Sequence, residues 1–504
     1  MLKRLFIGLI AVLFLKNPCF GYTLMETDNL SLSLGMYLRK DAVAFKNVTD
    51  LDSSNNDDST AYLGIDYSFS LGLKYKKEGP EFYLKLERNG PSDYGAPLSV
   101  HNTLVTSGGA IEEYRNHELL PGLEEFWLDT PLFSRSRLKI GLYAYEVGNG
   151  FALNGAFENY GITLYRKNEN CTWRLYYCRP DLVFKNHLGP RIRQDEEQGV
   201  DYNHGAANFF AVDFKLDKGS SFYQPYMGVL TDYTSPGKRD NIFTTPIKRD
   251  ILGTAGLFWK IKQDKFSLEA EFSHNFGRAK SADAAYKDIT HAGYLFYGGI
   301  DYYLKKFTPS LQFLFCSGNK TNEEMAQNLD TTLTSAKNRS FSCNSPLNNN
   351  LGDSVASVHS DIRPIVAMGS GFGLNYGIPR PGTFAASDFD NIIINSLGFD
   401  FNATEKLCIG LYGYYLKSAE KPIGMLNGQP KYLSKDLGRE LDLLIDYKFN
   451  ENILISFLGG YFFPGKYYKE ERDDTTGSLF SPYLSASGNA DCAYQVELAV
   501  ELNF

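Results

Sequence analysis

The sequence predicts an all-β fold, an antiparallel barrel of about 18 strands (16–18) closed on itself inside a lipid bilayer. Three observations carry this. The stretch Cys492–Phe504 alternates strictly between two kinds of side chain. Short and long connections alternate along the whole chain. Aromatic residues reach 14%, with 34 Tyr and 36 Phe, while mean hydropathy stays at −0.29.

In Cys492–Phe504 one set of positions is apolar throughout: Tyr494, Val496, Leu498, Val500, Leu502 and Phe504. The interleaved set is Gln495, Glu497, Ala499, Glu501 and Asn503. A period of two with one greasy and one polar face is a strand between two environments. In a membrane barrel those are lipid and a wet lumen. A terminal strand of this kind, ending on Phe504, is also the signal expected to engage a barrel-insertion machinery.

Alternation marks the remaining strands, and clusters of Gly, Pro, Asn, Asp and Ser mark the connections. The expected strands are Leu30–Leu38, Ala61–Tyr75, Phe82–Arg88, Glu124–Thr130, Leu138–Tyr145 and Gly161–Lys167. Next come Thr172–Cys178, Ala207–Leu216, Phe222–Thr231, Ile251–Ile261, Phe266–His274 and Gly293–Tyr303. Thr308–Cys316, Ile392–Phe401, Leu407–Leu416, Leu437–Phe449, Ile453–Phe463 and Cys492–Phe504 complete the set. Links such as Lys262–Lys265 and Asn450–Asn452 are short, whereas Arg39–Thr60, Asn89–Leu123 and Ser317–Asn391 are long. Short turns at the periplasmic rim and long external loops give this rhythm, and a propeller or sandwich does not. The 317–391 segment either folds into the pore as a constriction or lies outside as a flap.

Residues 1–21 read as a signal peptide: Lys3 and Arg4, an apolar run Leu5–Leu15, then small residues up to Gly21. Residues 22–504 would form the barrel. No later run approaches the roughly 18 apolar residues of a spanning helix. The address is the outer membrane of a bacterium, and outer-membrane lipid is the expected surround. A formal charge of −8 argues against a nucleic-acid partner. After the leader, Cys171, Cys178, Cys316, Cys343, Cys408 and Cys492 remain; none has metal-ligand spacing, and disulfide connectivity is open. No Walker loop, nucleotide fingerprint or zinc motif is present, so no cofactor and no metal is expected.

Parity assigns faces. In Leu437–Phe449, Leu437, Leu441, Leu443, Ile445, Tyr447 and Phe449 take the lipid side, and Glu440, Asp442, Asp446 and Lys448 the lumen. Arg439 shares the lipid parity and must lie near the outer rim. Glu269 and Glu271 face inward beside outward Leu268 and Phe272. Lys85, Glu87, Glu125, Asp129, Lys139, Arg174, Asp213, Lys215, Lys260 and Asp301 also take inward parity. A basic side chain at mid-depth on the lipid face costs about 2–4 kcal/mol, which gives these assignments physical force. Rings of charge set ion preference, and the slight excess of carboxylates points to cations or neutral solutes. The plainer reading is that opposite charges pair across strands and hold the wall. Arg179, Arg191 and Arg193 fall in a loop that could overhang the mouth.

The stretch LGRELDLLIDYKFNENILISFLGGYFFPGKYYKE from Leu437 resembles the penultimate hairpin of the alginate-export family of outer-membrane barrels. The segment leading to Leu416, DFDNIIINSLGFDFNATEKLCIGLYGYYL, is also similar, as are Lys139-Ile140-Gly141 and Gly148-Asn149-Gly150. The resemblance implies an 18-stranded barrel passing a polysaccharide or another solute passively. The family often has Arg-Gln after the glycine matching Gly141; here Leu142 and Tyr143 follow, so alginate as substrate is not implied. The expected function is a passive channel for a hydrophilic solute, with polysaccharide export as one form. The alternative is a general or substrate-specific uptake porin. A structural barrel or a hydrolase ranks below both. The seven histidines fall mostly in predicted loops and in no nucleophile–base motif.

Overall fold

The computed structural model describes residues 22–47, 51, 60–76, 78–88, 103–105, 111–113, 122–133, 135–155, 160–179, 207–232, 247–281, 288–319, 337–341, 364–367, 391–427, 429–471 and 490–503. Residues 1–21, which carry the expected signal peptide, Arg191, Arg193, Cys343, Phe504 and most of 317–391 lie outside these residues.

Eighteen antiparallel strands form one closed wall. They are β1 (Leu30–Lys46), β2 (Thr60–Tyr75), β3 (Glu81–Arg88), β4 (Gly122–Phe133), β5 (Ser136–Leu142) and β6 (Tyr160–Lys167). Then come β7 (Cys171–Cys178), β8 (Ala207–Asp217), β9 (Ser221–Asp232), β10 (Ile247–Lys262), β11 (Phe266–Ser281) and β12 (Tyr294–Tyr302). The wall ends with β13 (Phe307–Cys316), β14 (Ile392–Asn402), β15 (Leu407–Ser418), β16 (Asp436–Asn450), β17 (Ile453–Pro464) and β18 (Ala493–Asn503). Each expected strand has one counterpart. Each strand pairs with its sequence neighbours, and β1 closes the ring on β18, from Tyr37 opposite Asn503 to Lys46 opposite Tyr494. Closure leaves no continuous open edge, so backbone polar groups are satisfied in the absence of water.

The outer face is apolar. Phe214, Leu257, Phe272, Ile300, Leu311, Leu397, Leu441 and Leu498 are all exposed, Leu498 to 49%. On β18 their alternates Gln495, Glu497 and Ala499 are buried inside. Crossing is by strands; no helix among the described residues is long and apolar enough to span a bilayer.

Three expectations need correction. β1 does not stop at Leu38 but runs to Lys46, so Arg39 is wall and not loop. Its polar run Arg39-Lys40-Asp41 hides the strand from an apolarity count, yet Arg39 is buried on the inner face against Glu497 and Glu501 across the closing seam. β5 ends at Leu142 rather than Tyr145. Leu437 does not face lipid; it is 1% exposed and part of the interior cluster.

The last two share a cause. Gly141 and Gly438 sit at φ +139° and +131°, a region that favours glycine. A Cβ at Gly141 would come within 2.0 Å of the Phe126 carbonyl oxygen, and one at Gly438 within 2.4 Å of that of Phe463. Beside Gly438 the register slips: Leu416 pairs with Gly438 but Lys417 with Asp436, leaving Leu437 unmatched. This bulge flips Leu437 to the inner face. Past Gly141, Leu142 and Tyr143 are both buried and the chain leaves the wall for the interior.

Candidate functional site: a lumen narrowed from two sides

Inward-facing side chains change character along each strand. On β13, Thr308 near the short-turn rim is half-buried, whereas Ser310, Gln312, Leu314 and Cys316 are buried. On β16, Lys448 is exposed, Asp446 and Leu444 are half-buried, and Asp442 and Glu440 are buried. On β18 the order is exposed Asn503, half-buried Glu501, then buried Ala499, Glu497 and Gln495. The half of the lumen near the short turns is wet, and the half near the long connections is packed.

Two segments from the long connections do the packing. The first is 143–155, between β5 and β6, which carries a small antiparallel pair, Tyr145–Val147 with Leu153–Gly155. Tyr145, Val147, Phe151, Ala152 and Leu153 are buried against inward residues of β7–β13, including Tyr176, Phe209, Tyr226 and Tyr297. Tyr145 stacks on Tyr176 at 4.3 Å, and Phe151 meets Tyr297 at 5.1 Å. Polar contacts fix the position: the Tyr145 hydroxyl donates to Asp213 at 2.6 Å and the Asn149 N–H to Glu271 at 3.0 Å. The Gly148 N–H reaches the Gln224 side-chain oxygen at 3.2 Å. Burial, reinforced by the Asp213 carboxylate, holds the Tyr145 phenol well above its usual range, so it remains a donor.

The second is 364–367, within the long 317–391 connection. Ile365, Val366 and Ala367 are buried. Their N–H groups donate to buried carboxyls of β16: Ile365 to Asp442 at 2.9 Å, Val366 to Glu440, and Ala367 to Glu440 at 2.8 Å. Gly460 on β17 makes the room, since a Cβ there would stand 2.8 Å from Val366 and 2.9 Å from Ile365. The two segments approach from different walls, one along β7–β13 and the other at β16 and β17.

The residues expected to line the pore divide accordingly. Lys85 forms an ion pair with Glu87, and β3 sets Lys85 opposite Glu125. Lys139 lies over the rings of Trp127 and Tyr143 at 3.9 and 4.3 Å. Arg174 bonds Asp213 at 2.8 Å and covers the Tyr145 ring. Lys260 meets Glu269 at 3.0 Å, and Tyr297 donates to the same carboxylate at 2.7 Å. Glu271, Glu440 and Asp442 do not line an open passage; they are buried as anchors for the two inward segments. Asp301 is half-buried at the wet end, and Arg179 directly follows β7 at the long-connection rim, half-buried.

Sequence reading missed several participants. Arg39 was hidden in an assumed loop. Glu124 and Glu125 both lie near Lys85, because β4 bulges there. Tyr145, Asn149 and Gln224 become visible only once the 143–155 segment is seen inside. His291 is not a solvent-exposed loop residue: it is buried and bonds Asp250 at 2.7 Å. Cys171, Cys408 and Cys492 are free thiols.

The wet half carries paired charges of both signs on one wall and mostly carboxylates on the other. Lys85, Arg137, Lys139, Arg174, Lys215 and Lys260 point inward from β3–β10, mostly beside a carboxylate. Asp301, Asp400, Asp446 and Glu501 point inward from β12–β18, together with Lys448. Among the accessible pairs the cation is the wetter partner: the Lys260 side chain is 43% exposed against 19% for Glu269, and Arg174 is 18% exposed against 0% for Asp213.

No protein-family model matches the chain, and no curated protein matches it. Solved structures of similar course include OccAB4 of Acinetobacter baumannii, at 9% identity and TM-score 0.48, covering 95% of this chain and 99% of that one. Another is the outer membrane protein OprD of Pseudomonas aeruginosa, at 9% identity and TM-score 0.46, covering 94% and 93%. OpdQ of Pseudomonas aeruginosa matches at 9% identity and TM-score 0.47, covering 94% and 98%. These superpositions are loose, and the fold rests on the strand pairing itself.

Proposed function

We propose that this chain is an outer-membrane channel that lets a small hydrophilic solute pass without energy input, in the manner of a selective uptake porin. One observation carries the reading: the lumen is wet and charged over the half near the short turns and narrowed over the half near the long connections by two anchored segments. A narrowed outer half suits a small solute far better than a polysaccharide in transit, so uptake is preferred to polymer export. The comparisons add nothing to the alginate-export resemblance, which rests on the sequence stretches quoted above. The outward apolar band fits a bilayer, and the short-turn rim then faces the periplasm.

Planar-bilayer recording joined to a liposome-swelling series of sugars of rising size tests this. Ohmic steps with a cut-off between mono- or disaccharides and longer oligomers are expected. A barrel that passes no ion, or one that passes long oligosaccharides as readily as glucose, overturns the reading.

A further inference from the structure

Arg439, the one charge that alternation places on the lipid side of β16, does not stand alone. It sits over the outward ring of Tyr415 on β15, with its guanidinium carbon 5.7 Å from the ring centre. Lys417, two residues further along β15, reaches the same ring at 4.7 Å. Both distances are those of a cation held by an aromatic face. Neither cation forms an ion pair with a described residue. Asp436, which pairs in register with Lys417, instead accepts the Lys466 N–H at 3.4 Å.

The level of this cluster is fixed by register. Asn395 pairs with Tyr415, Tyr415 with Arg439, and Arg439 with Phe463. These are among the outermost outward positions of β14, β15, β16 and β17, towards the long-connection rim.

Immediately below, the row is Leu397, Gly413 and Leu441. Leu397 is 67% exposed and Leu441 49%. A Cβ at Gly413 would meet only the Leu397 carbonyl oxygen, at 3.8 Å. The wall therefore carries a shallow furrow, floored by glycine and flanked by two leucines, running down from the two cations.

We propose that this face binds one phosphorylated lipid of the outer leaflet. Its phosphate would sit between Lys417 and Arg439, and one acyl chain would lie in the Gly413 furrow. Charge-assisted bonds from an ammonium and a guanidinium suit a phosphate, and the furrow supplies apolar contact that a soluble phosphate would not use. The inference assumes a membrane-embedded barrel but not any particular solute.

Native mass spectrometry of the detergent-solubilised full chain, titrated with diphosphoryl lipid A, provides the test. One lipid should be retained more firmly than the rest. Lys417→Gln with Arg439→Gln should weaken that retention at least tenfold, and Gly413→Leu should weaken it with the cations intact. Single-channel conductance of both variants should equal that of the parent, which separates this site from the pore. The unaltered protein supplies a check that needs no variant: dephosphorylated lipid A should bind at least tenfold more weakly. Equal retention by the double variant, equal binding of the dephosphorylated lipid, or displacement by millimolar inorganic phosphate alone would each overturn the proposal.

Discussion

Replacing Glu440 with alanine should release one of the two segments that narrow the lumen. Glu440 accepts the N–H groups of Val366 and Ala367, and neighbouring Asp442 accepts that of Ile365. Bonds to a charged acceptor contribute roughly 1.5–3 kcal/mol each, so the two lost bonds amount to about 3–6 kcal/mol. The lower end is the better guide, because released N–H groups recover water in the lumen. Removing one of two adjacent carboxyls also eases the burial of the other. Ile365 and Val366 still hold the segment by burial, at about 1.5–3 kcal/mol per side chain. A net loss of about 3 kcal/mol shifts docked against undocked populations roughly a hundredfold. The assay is single-channel current in a planar bilayer. The parent should hold one level; Glu440→Ala should flicker to a larger one, and Glu440→Ala with Asp442→Ala should dwell there. A double variant with the parent's conductance, noise and sugar cut-off would refute the idea that these carboxyls hold the constriction.

Other perturbations follow from the same geometry. Gly228→Leu should evict the 143–155 segment, since a Cβ at Gly228 would stand 2.0 Å from the Leu153 side chain; a larger conductance would register it. Arg39→Ala leaves buried Glu497 without its seam partner and should cost about 3–5 kcal/mol, read as a lower temperature of gel-mobility change on heating. Glu269→Gln should move stability by less than about 1 kcal/mol, because its Lys260 partner is well exposed, yet should shift the reversal potential in a salt gradient toward anions. Leu498→Arg places a cation on the lipid face half-way along β18 and should cost about 2–4 kcal/mol, lowering the yield of assembled barrel.

Strand identity was legible because lipid and water impose opposite demands on successive residues, and eighteen segments obey. The inner ends of β13, β16 and β18 were legible for the same reason. What alternation cannot show is an interruption of itself. The flip of Leu437 depends on a glycine at positive φ, and glycine is too common in this chain to announce a bulge. Arg39 was lost because a strand whose inner face carries ion-paired charge looks like a loop. The inward segments were illegible for another reason: Glu271 and Glu440 are anchored by backbone N–H groups, and a backbone donor leaves no trace in residue type. Sequence marked those carboxylates as facing inward, but not that something would be sitting on them.

β1 and β18 are the strands whose wall partners come from opposite ends of the sequence; Arg39 and Glu501, joined across their seam, stand 462 positions apart. Made first in a free coil, such a contact would cost about 5 kcal/mol of chain entropy. Made last, after the hairpins have curled the ribbon round, it costs little more than a short gap. The order of assembly is thereby biased: neighbouring hairpins zip early, and the join waits for both flanks. Until that moment the nascent ribbon carries two bare hydrogen-bonding margins and is at its most prone to stick to its neighbours.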